Sequence, residues 1–362
     1  MDIGESGGQG SAWTVSRKDL WRYCTDAHCQ EMILSFRLLG ENGWPREKVM
    51  ACLYALSNHS ERHYERISIP KKDGSRRILL APDPLLKHVQ KNLLRHVLEG
   101  LSIAGCATAY HRQAGIICNA SGHVGKPLVM KLDIRDFFGS ITFPMVLCHA
   151  FPVKYFPPPV GVLLTSLCCC GEYLPQGAPT SPAVSNLVMK PFDEYMAGWC
   201  RERKISYSRY CDDMAFSGDF DAWEVRQKAE NFLRAMGFEL NRKKTKVLPQ
   251  NMRQTVTGLV VNERVQTSAQ YRRKLRQELY YCRKFGVEGH LRQSGEAKHF
   301  LLPDGSLDKQ RYLQALAGKV RHVLLTRPED AWFLEAKGWL LTERKRQEGR
   351  QSRREMGTEN GI

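Results

Sequence analysis

Two adjacent carboxylates, Asp212 and Asp213, lie between two short runs of strand-forming residues, and this pattern constrains the fold more than any other part of the sequence. The segment from Lys204 to Gly218 predicts two strands that flank a tight tip, Tyr-Cys-Asp-Asp, which begins at Tyr210. A Tyr-x-Asp-Asp segment alone is a weak signal, because an ordinary polar hairpin turn has the same composition. Its meaning depends on a third carboxylate elsewhere in the chain.

Asp133 supplies that carboxylate, because it follows an apolar run, Leu128 to Leu132, that predicts a buried central strand. Neighbouring side chains on one strand point to opposite faces, so converging carboxylates have to come from separate strands. Mg²⁺ prefers oxygen ligands, and two ions about 3.5–4 Å apart can activate an attacking hydroxyl and stabilise a leaving pyrophosphate. The three aspartates are therefore candidate ligands of two Mg²⁺ ions. The alternative, that each caps a turn or a helix, stays open at this point.

The charge of the chain indicates a polyanionic partner. Fifty-four Lys and Arg against 38 Asp and Glu give a formal net charge of +16. A surplus of this size favours nucleic acid, since each phosphate that the protein neutralises releases counterions. Hydrophobic residues at 42% and charged residues at 25% are typical of a globular protein and argue against a disordered chain. A basic but merely soluble protein remains the alternative.

The twelve cysteines are scattered without any C-x-x-C pair, which predicts reduced thiols rather than disulfides or a zinc site. The N-terminus lacks a basic and then apolar signal segment, and the longest apolar stretch, Val160 to Cys170, is too short to span a bilayer. We therefore expect a cytoplasmic protein that does not engage a membrane.

Composition and periodicity divide the chain into four regions. They are an N-terminal helical segment (1–60), a strand-rich region with the carboxylates (61–262), a basic helical region (263–342) and a disordered basic tail (343–362). Within the second region, strand patterns on both sides of Asp73-Gly74 predict a hairpin, and Gln254 to Val261 predicts a single strand.

Six segments follow one another between Tyr64 and Asn262: IPKKDGSRR, LDIRDFFGSI, LPQGAPTSPAVSNL, YSRYCDDMAFSG, GFELNRKKTKV and VTGLVVN. In this order they resemble the reverse transcriptases, most closely those of bacterial retrons. Two segments favour retrons over group II intron or diversity-generating enzymes. One is Asn119 to His123, which is similar to the retron N-A-x-x-H element, and the other is Val256 to Gly258.

The resemblance implies an α+β fold of the right-hand polymerase type, with fingers, a palm built on an antiparallel sheet, and a helical thumb. It implies that Asp133, Asp212 and Asp213 are the catalytic residues and the metal ligands, with Asp133 and Asp212 touching both Mg²⁺ ions. It also implies a set of residues that contact the incoming nucleotide: Lys72, Arg77, Asp136, Phe138, Gln176 and Lys244.

Some of these nucleotide contacts have stated roles. Phe138 aligns with the aromatic residue that lies under the sugar and excludes a 2′ hydroxyl, whereas Phe137 points into the core. Arg77 and the neighbouring Lys71 and Lys72 would face the triphosphate, where cations meet developing negative charge. A packing role for the two Phe residues and a solvated basic hairpin for the Lys residues remain the alternatives.

The resemblance further implies contacts to the RNA and to the primer–template. The residues are Tyr210, Asn119, His123, Val256, Thr257, Gly258, Arg272, Arg273, Lys274 and Arg276. In retron enzymes the Asn119 to His123 and Val256 to Gly258 elements are associated with the cognate noncoding RNA, although a purely structural role would explain them equally well. The four basic residues of the thumb would contact phosphates, which carry little sequence information.

The implied reaction copies part of a structured noncoding RNA of the msr-msd type from deoxynucleoside triphosphates. An internal guanosine 2′ hydroxyl is the primer, and the product is a branched RNA–DNA (msDNA). The implied setting is an antiphage defence system with an effector protein encoded nearby. The alternatives are another bacterial reverse transcriptase lineage, of the group II intron or abortive-infection type with a 3′ hydroxyl primer, or a catalytically silent RNA-binding scaffold.

Overall fold

The structure is a computed structural model that describes residues 20–41, 43–70, 74, 76–112 and 114–359, with side chains described as far as residue 348. It is a mixed α+β fold that separates into two compact units. Unit 1 contains the described residues within Met1–Ala114, Lys131–Met214 and Asp221–Lys246, and unit 2 contains those within Gly115–Met130, Ala215–Phe220 and Val247–Ile362. No helix in the described part of the chain combines the length and the apolar character needed to cross a membrane.

Helices and strands alternate along much of the chain. In sequence order they are α1 (Asp26–Ser35), α2 (Arg46–Asn58), β1 (Tyr64–Pro70), β2 (Arg76–Pro82), α3 (Pro84–His96), α4 (Ile116–Ser121), β3 (Leu128–Asp133), α5 (Phe143–His149), α6 (Pro158–Cys168), α7 (Ser181–Glu202), β4 (Ser206–Tyr210), β5 (Asp213–Gly218), α8 (Ala222–Ala235), β6 (Lys246–Pro249), β7 (Thr255–Val256), β8 (Leu259–Val260), α9 (Ala269–Gln293), α10 (Lys309–Thr326) and α11 (Ala331–Glu359).

A four-stranded sheet with the strand order β4-β5-β3-β6 carries the three aspartates. Strand β3 is internal, as its apolar sequence predicted, and Val129, Met130 and Leu132 are buried. Strands β4 and β5 are neighbours joined by two residues, a connection that only antiparallel strands allow. The predicted pair of strands with a tight tip is therefore confirmed.

The hairpin predicted around Asp73-Gly74 is also confirmed. Strands β1 and β2 pair antiparallel with Ile69 opposite Arg77, although Asp73 itself lies outside the described residues. The ribbon leaves apolar side chains in contact with solvent, among them Ile67, Ile69 and Ile78.

The single strand predicted for Gln254 to Val261 is wrong, because this segment folds back on itself as the hairpin β7-β8. Thr257 and Gly258 have φ values of +46° and +81°. Positive φ at both central residues is the requirement of the two-residue hairpin turn that matches the twist of a sheet. A Thr in the left-handed region is uncommon, and for this reason the sequence did not reveal the turn.

The prediction of a disordered tail over residues 343–362 is wrong for residues 343–359, because α11 continues as a helix to Glu359, and residues 360–362 lie outside the described residues. The segment has almost no apolar residues but is rich in Glu, Lys, Arg and Gln, which have high helix propensity. Glu343 also pairs with Arg346 and accepts a hydrogen bond from Gln347, the spacing at which side chains meet on a helix.

Two apolar clusters hold unit 2 together. Helices α9, α10 and α11 enclose the larger one, with Leu279, Leu316 and Phe333 fully buried. The smaller one joins Ala120 of α4 to Val256 and Leu259 of the β7-β8 hairpin. In unit 1 the long helix α7 supplies buried residues along much of its length, including Phe192.

Candidate active site

The end of strand β3 and the β4-β5 tip lie next to each other. The Ile134 N–H donates to the Asp212 carbonyl at 3.1 Å, and the Asn241 N–H donates to the Asp133 carbonyl at 2.7 Å. Cys211 has a φ of +60°, which lets the chain reverse within two residues. The backbone thus brings Asp133 and Asp212 to one place from separate strands.

The carboxylates at this place influence one another. Asp133 is only 4% exposed, and its Oδ2 accepts a hydrogen bond from the Lys244 ammonium at 2.8 Å. Burial raises the pKa of Asp213, and the carboxylates of Asp212 and Asp133 raise it further against the opposing effect of Lys131. The same carboxylates, with Asp133 first, raise the pKa of Lys244 and keep it charged.

The donor atoms suit a hard cation such as Mg²⁺. Asp133 Oδ1 is buried and has no hydrogen-bond partner among the described residues. A buried carboxylate oxygen without a donor is costly, and a cation would remove that cost. Among the described residues, no three His, Cys, Asp or Glu side chains already form a metal-binding group. In this structure the cation next to Asp133 is the Lys244 ammonium.

A buried ion pair, which the sequence patterns did not predict, supports the Tyr-Cys-Asp-Asp tip. Arg209 and Asp193 are both fully buried, and their closest contact, Arg209 Nη2 to Asp193 Oδ2, is 2.6 Å. Arg209 Nε donates to Asp193 at 2.9 Å, Nη2 donates to Asn186 Oδ1 at 3.2 Å, and Nη1 donates to the Cys211 carbonyl at 2.8 Å. The guanidinium therefore fixes a carbonyl of the tip itself.

Asp193 and Asn186 carry this support into helix α7. Asp193 Oδ1 also accepts from the Tyr207 hydroxyl at 2.8 Å, and Asn186 Nδ2 donates to the Ala109 carbonyl at 2.9 Å. The sequence contained one indication of this ion pair. Asp193 is a charged residue on the side of α7 that also carries the apolar residues Val188, Met189 and Phe192. Charged residues are almost never fully buried unless they are paired.

Tyr110 and Cys211 pack at the tip. The Tyr110 ring lies 6.4 Å from the Tyr210 ring, centroid to centroid. Burial raises the pKa of the Cys211 thiol to about 12, with a further contribution from Asp212. The Cys at position 211 is therefore a protonated, packed thiol.

The two Phe residues after Asp133 have different environments. Phe137 is buried and packs on Phe238 with the ring centroids 6.0 Å apart, so its predicted place in the core is confirmed. Phe138 is half-buried, with its ring centroid 5.3 Å from that of Phe137. Asp136 is exposed with a φ of +43°, and a Cβ at Gly139 would lie 2.5 Å from its Oδ2. Gly139 thus leaves room for this carboxylate.

The Gln176-Gly177 loop lies directly on strand β2. The Leu80 N–H donates to the Gln176 carbonyl at 2.8 Å. Gly177 has a φ of +129°, and a Cβ there would lie 2.8 Å from the Leu80 carbonyl oxygen. Arg77 is exposed on the same strand, whereas Lys71 and Lys72 lie outside the described residues.

Because Gly177 approaches Leu80 closely, replacing it by Ala should lower the free energy of unfolding, whereas the same replacement at Gly198 should raise it. We expect Gly177→Ala to lower the free energy of unfolding by about 1–3 kcal/mol, because a side chain is strained at this φ and meets the backbone. Gly198→Ala on helix α7 is the matched control. Nothing lies within 4 Å of a Cβ there, so Ala should stabilise by about 0.5–1 kcal/mol. Urea denaturation measures both, and equal effects would contradict the prediction.

The Asn119 to His123 element and the β7-β8 turn form one site in unit 2. Asn119, His123 and Val256 are buried, at 2%, 1% and 1% exposure. The His123 Nδ1 is 2.7 Å from the Ser217 hydroxyl, and burial lowers the pKa of His123 to about 4. Thr257 donates to the Ile116 carbonyl at 3.2 Å, which ties the turn to helix α4. A structural role accounts for the three buried side chains, whereas Ser121, Gly122 and Gly258 of the two segments are exposed.

The four basic residues predicted to contact phosphates fall into two groups. Arg272 donates to the Thr267 carbonyl, and Arg276 pairs with Asp330 at 3.6 Å and lies over the Trp332 ring. The structure thus uses these two side chains internally. Arg273 and Lys274 are exposed on helix α9.

Comparison with known proteins gives a consistent result. A family model described as reverse transcriptase (RNA-dependent DNA polymerase) matches residues 69–261. The chain is 36% identical over 250 residues to the retron Mx65 reverse transcriptase of Myxococcus xanthus, across 63% of this chain and 58% of that protein. It is 29% identical over 238 residues to the retron Ec86 reverse transcriptase of Escherichia coli, across 63% of this chain and 73% of that protein.

A solved structure of telomerase from Candida albicans with a fragment of telomeric RNA aligns with a TM-score of 0.41 at 12% identity. The alignment covers 82% of this chain and 61% of that one. The match to the Myxococcus protein spans less than two thirds of that relative's length. The predicted resemblance to retron enzymes is confirmed by the two retron relatives.

Proposed function

The chain belongs to the reverse transcriptase (RNA-dependent DNA polymerase) family, and from that premise we propose that it is the RNA-directed DNA polymerase of a retron. The observation that carries the proposal is the buried carboxylate of Asp133 beside the Asp212-Asp213 tip, with an Oδ1 that has no hydrogen-bond partner among the described residues. In this assignment residues 61–262 are the fingers and palm and residues 263–342 the thumb, preceded in the sequence by the helical segment 1–60.

The three aspartates would hold two Mg²⁺ ions. When bound, such ions make the primer hydroxyl a better nucleophile and neutralise the charge that develops on the pyrophosphate. The Lys244 ammonium lies 2.8 Å from Asp133 Oδ2, where it could donate a hydrogen bond to the departing phosphate oxygens. Arg209 keeps the tip in place through the Cys211 carbonyl and is a positioning residue.

The residues around the aspartates would select the nucleotide. We assign Phe138 to the face of the sugar, Asp136 to the ribose, and Arg77 with Lys72 to the triphosphate. Gln176 and Gly177 would support the pair between template and nucleotide, in a loop that contacts the backbone of Leu80. The exposed Arg273 and Lys274 would contact phosphates of the template and primer.

The retron assignment also proposes the partners. These are a cognate noncoding RNA of the msr-msd type, primed from an internal guanosine 2′ hydroxyl, its DNA product, and an effector protein encoded nearby in antiphage defence. Two retron enzymes among the relatives support the proposal, as does the net charge of +16. Tyr210 and the β7-β8 turn at Thr257 and Gly258 are assigned to the RNA.

The test is to express the gene with its native flanking DNA and to analyse the nucleic acid that copurifies, before and after treatment with RNase and a debranching enzyme. A short DNA joined to RNA through a 2′ bond is expected. DNA with only 3′-linked or free ends would instead support another reverse transcriptase lineage. RNA without any DNA, under active expression, would support the silent scaffold.

Phe138→Ala should admit ribonucleotides. A pocket that excludes one hydroxyl discriminates by up to about 10²-fold, so we expect the preference for deoxynucleotides to fall by about tenfold to 10²-fold. Single-nucleotide incorporation with matched dNTP and rNTP measures it. Phe137→Ala is the contrasting variant, since it should cost about 3–5 kcal/mol of stability with the discrimination unchanged. Unchanged discrimination in Phe138→Ala would contradict the assignment.

A further inference from the structure

An exposed group of aromatic residues lies on helix α9 just before Gly286, where a φ of +75° interrupts the helix. Tyr280 is 52% exposed, Tyr281 36% and Phe285 52%. With Lys284 they occupy positions i, i+1, i+4 and i+5, which share one side of a helix. Leu279 and Cys282 face the core from the opposite side. We name this group, Tyr280, Tyr281, Lys284 and Phe285, the aromatic platform.

The rings of the aromatic platform contact one another. The centroids of Tyr280 and Tyr281 are 5.7 Å apart, and those of Tyr281 and Phe285 are 6.0 Å apart with the planes inclined by 36°. The Lys284 ammonium lies 5.3 Å from the centroid of Phe285 and 5.8 Å from that of Tyr280. Large aromatic side chains grouped in solvent usually mark an interaction site.

The charges near the aromatic platform are unbalanced in favour of cations. The nearby Glu278 is paired with Lys319 at 2.7 Å, and Glu288 is paired with Lys309 at 2.7 Å. Within the described side chains, Lys284 has no carboxylate at ion-pair distance. Arg273 and Lys274 are exposed seven residues before Tyr280 and Tyr281, so they lie on the same side of α9 two turns earlier.

We propose that the aromatic platform binds an unpaired nucleic-acid strand by stacking its bases on Tyr280, Tyr281 and Phe285. Alternating aromatic rings and cations are the means by which proteins hold single strands without regard to sequence. The faces of the bases are covered by stacking in a duplex, so the site prefers unpaired strands. An apolar protein partner would bury Lys284 without a counter-charge, which disfavours that occupant. The proposal does not rest on the assignment of the three aspartates as metal ligands.

The test measures binding of the full chain to fluorescent 12-nucleotide probes without metal or dNTP. The probes are oligoadenylate RNA, its DNA counterpart, and an RNA of the same length without bases. Because stacking is worth about 1–3 kcal/mol per base, wild type should prefer oligoadenylate to the abasic strand by about tenfold or more. Stacking acts on the bases and not on the sugar, so the DNA probe should also bind more tightly than the abasic strand, and equal affinity would contradict the proposal.

Replacing Tyr280, Tyr281 and Phe285 together by Leu keeps apolar side chains but removes the rings. We expect the preference for bases to disappear while the affinity for the abasic strand stays the same. Lys284→Ala should weaken binding to all probes and reduce the salt slope by about 1. Trp223→Leu, at a residue that is 66% exposed on helix α8, is the control and should leave the preference intact.

A second measurement covers the case in which the triple variant does not fold. Photocrosslinking of a 5-bromouridine strand to the wild-type protein should attach it to the peptide that contains residues 280–285. A preference for bases that survives in a folded triple variant would overturn the proposal. So would crosslinks that map only elsewhere.

Discussion

Asp212→Asn is expected to reduce DNA synthesis by at least about 10³-fold, because a metal ligand contributes several kcal/mol of charge stabilisation in the transition state. Binding of RNA should remain within about threefold of wild type, since the basic residues that attract phosphates are unchanged. Primer extension and filter binding on the same preparation measure the two quantities.

Asp219→Asn is the matched control for this substitution. Asp219 is an exposed carboxylate just after strand β5 and should tolerate the loss of its charge in both assays. If Asp212→Asn retained more than a tenth of the wild-type synthesis, Asp212 would not be a metal ligand. A loss of RNA binding would show instead that the tip is needed for folding.

Arg209→Leu is expected to lower the free energy of unfolding by about 3–5 kcal/mol, because it leaves Asp193 as a buried charge without its main partner. Arg209→Lys keeps the charge but cannot reach Asp193, Asn186 and the Cys211 carbonyl at once. The Lys variant should therefore be more stable than the Leu variant, whereas its kcat for DNA synthesis should stay below that of the wild type.

Urea denaturation and primer extension separate the two effects of Arg209. The control is Arg203→Ala, whose exposed ion pairs with Glu202 and Glu224 should be worth less than about 1 kcal/mol. If kcat of the Lys variant recovered in step with its stability, Arg209 would be a structural residue without a special hold on the tip.

The sequence predicted the elements whose patterns are local. The β4-β5 tip, the internal strand β3 and the β1-β2 hairpin follow from alternation, an apolar run and turn residues, and all three are present. The β7-β8 hairpin was missed because its turn begins with Thr257, a residue that rarely has a positive φ. The helix after residue 343 was missed because helix propensity needs no apolar residues.

The side-chain contacts that support the candidate site could not be predicted either, but for a different reason. Arg209 of β4 contacts Asp193 and Asn186 of α7, which are 16 and 23 residues away, and single-residue patterns carry no information on such pairs. The same holds for Lys244, which is 111 residues from Asp133 and yet hydrogen-bonds to its carboxylate. The order of the motifs was enough to locate the aspartates. The side chains that hold them in place are determined by tertiary packing, which the motifs do not show.

The contact between the β1-β2 hairpin and the Gln176-Gly177 loop has a consequence for synthesis on the ribosome. A two-stranded ribbon is at best marginally stable by itself. The Gln176 carbonyl that accepts from Leu80 belongs to a residue translated about 100 positions later, which takes about 5–20 s. During that interval the hairpin lacks its contact with the Gln176-Gly177 loop, and Ile67, Ile69 and Ile78 are exposed on it. We therefore expect chaperones to bind this apolar strand pair on the nascent chain before the rest of the fold has formed.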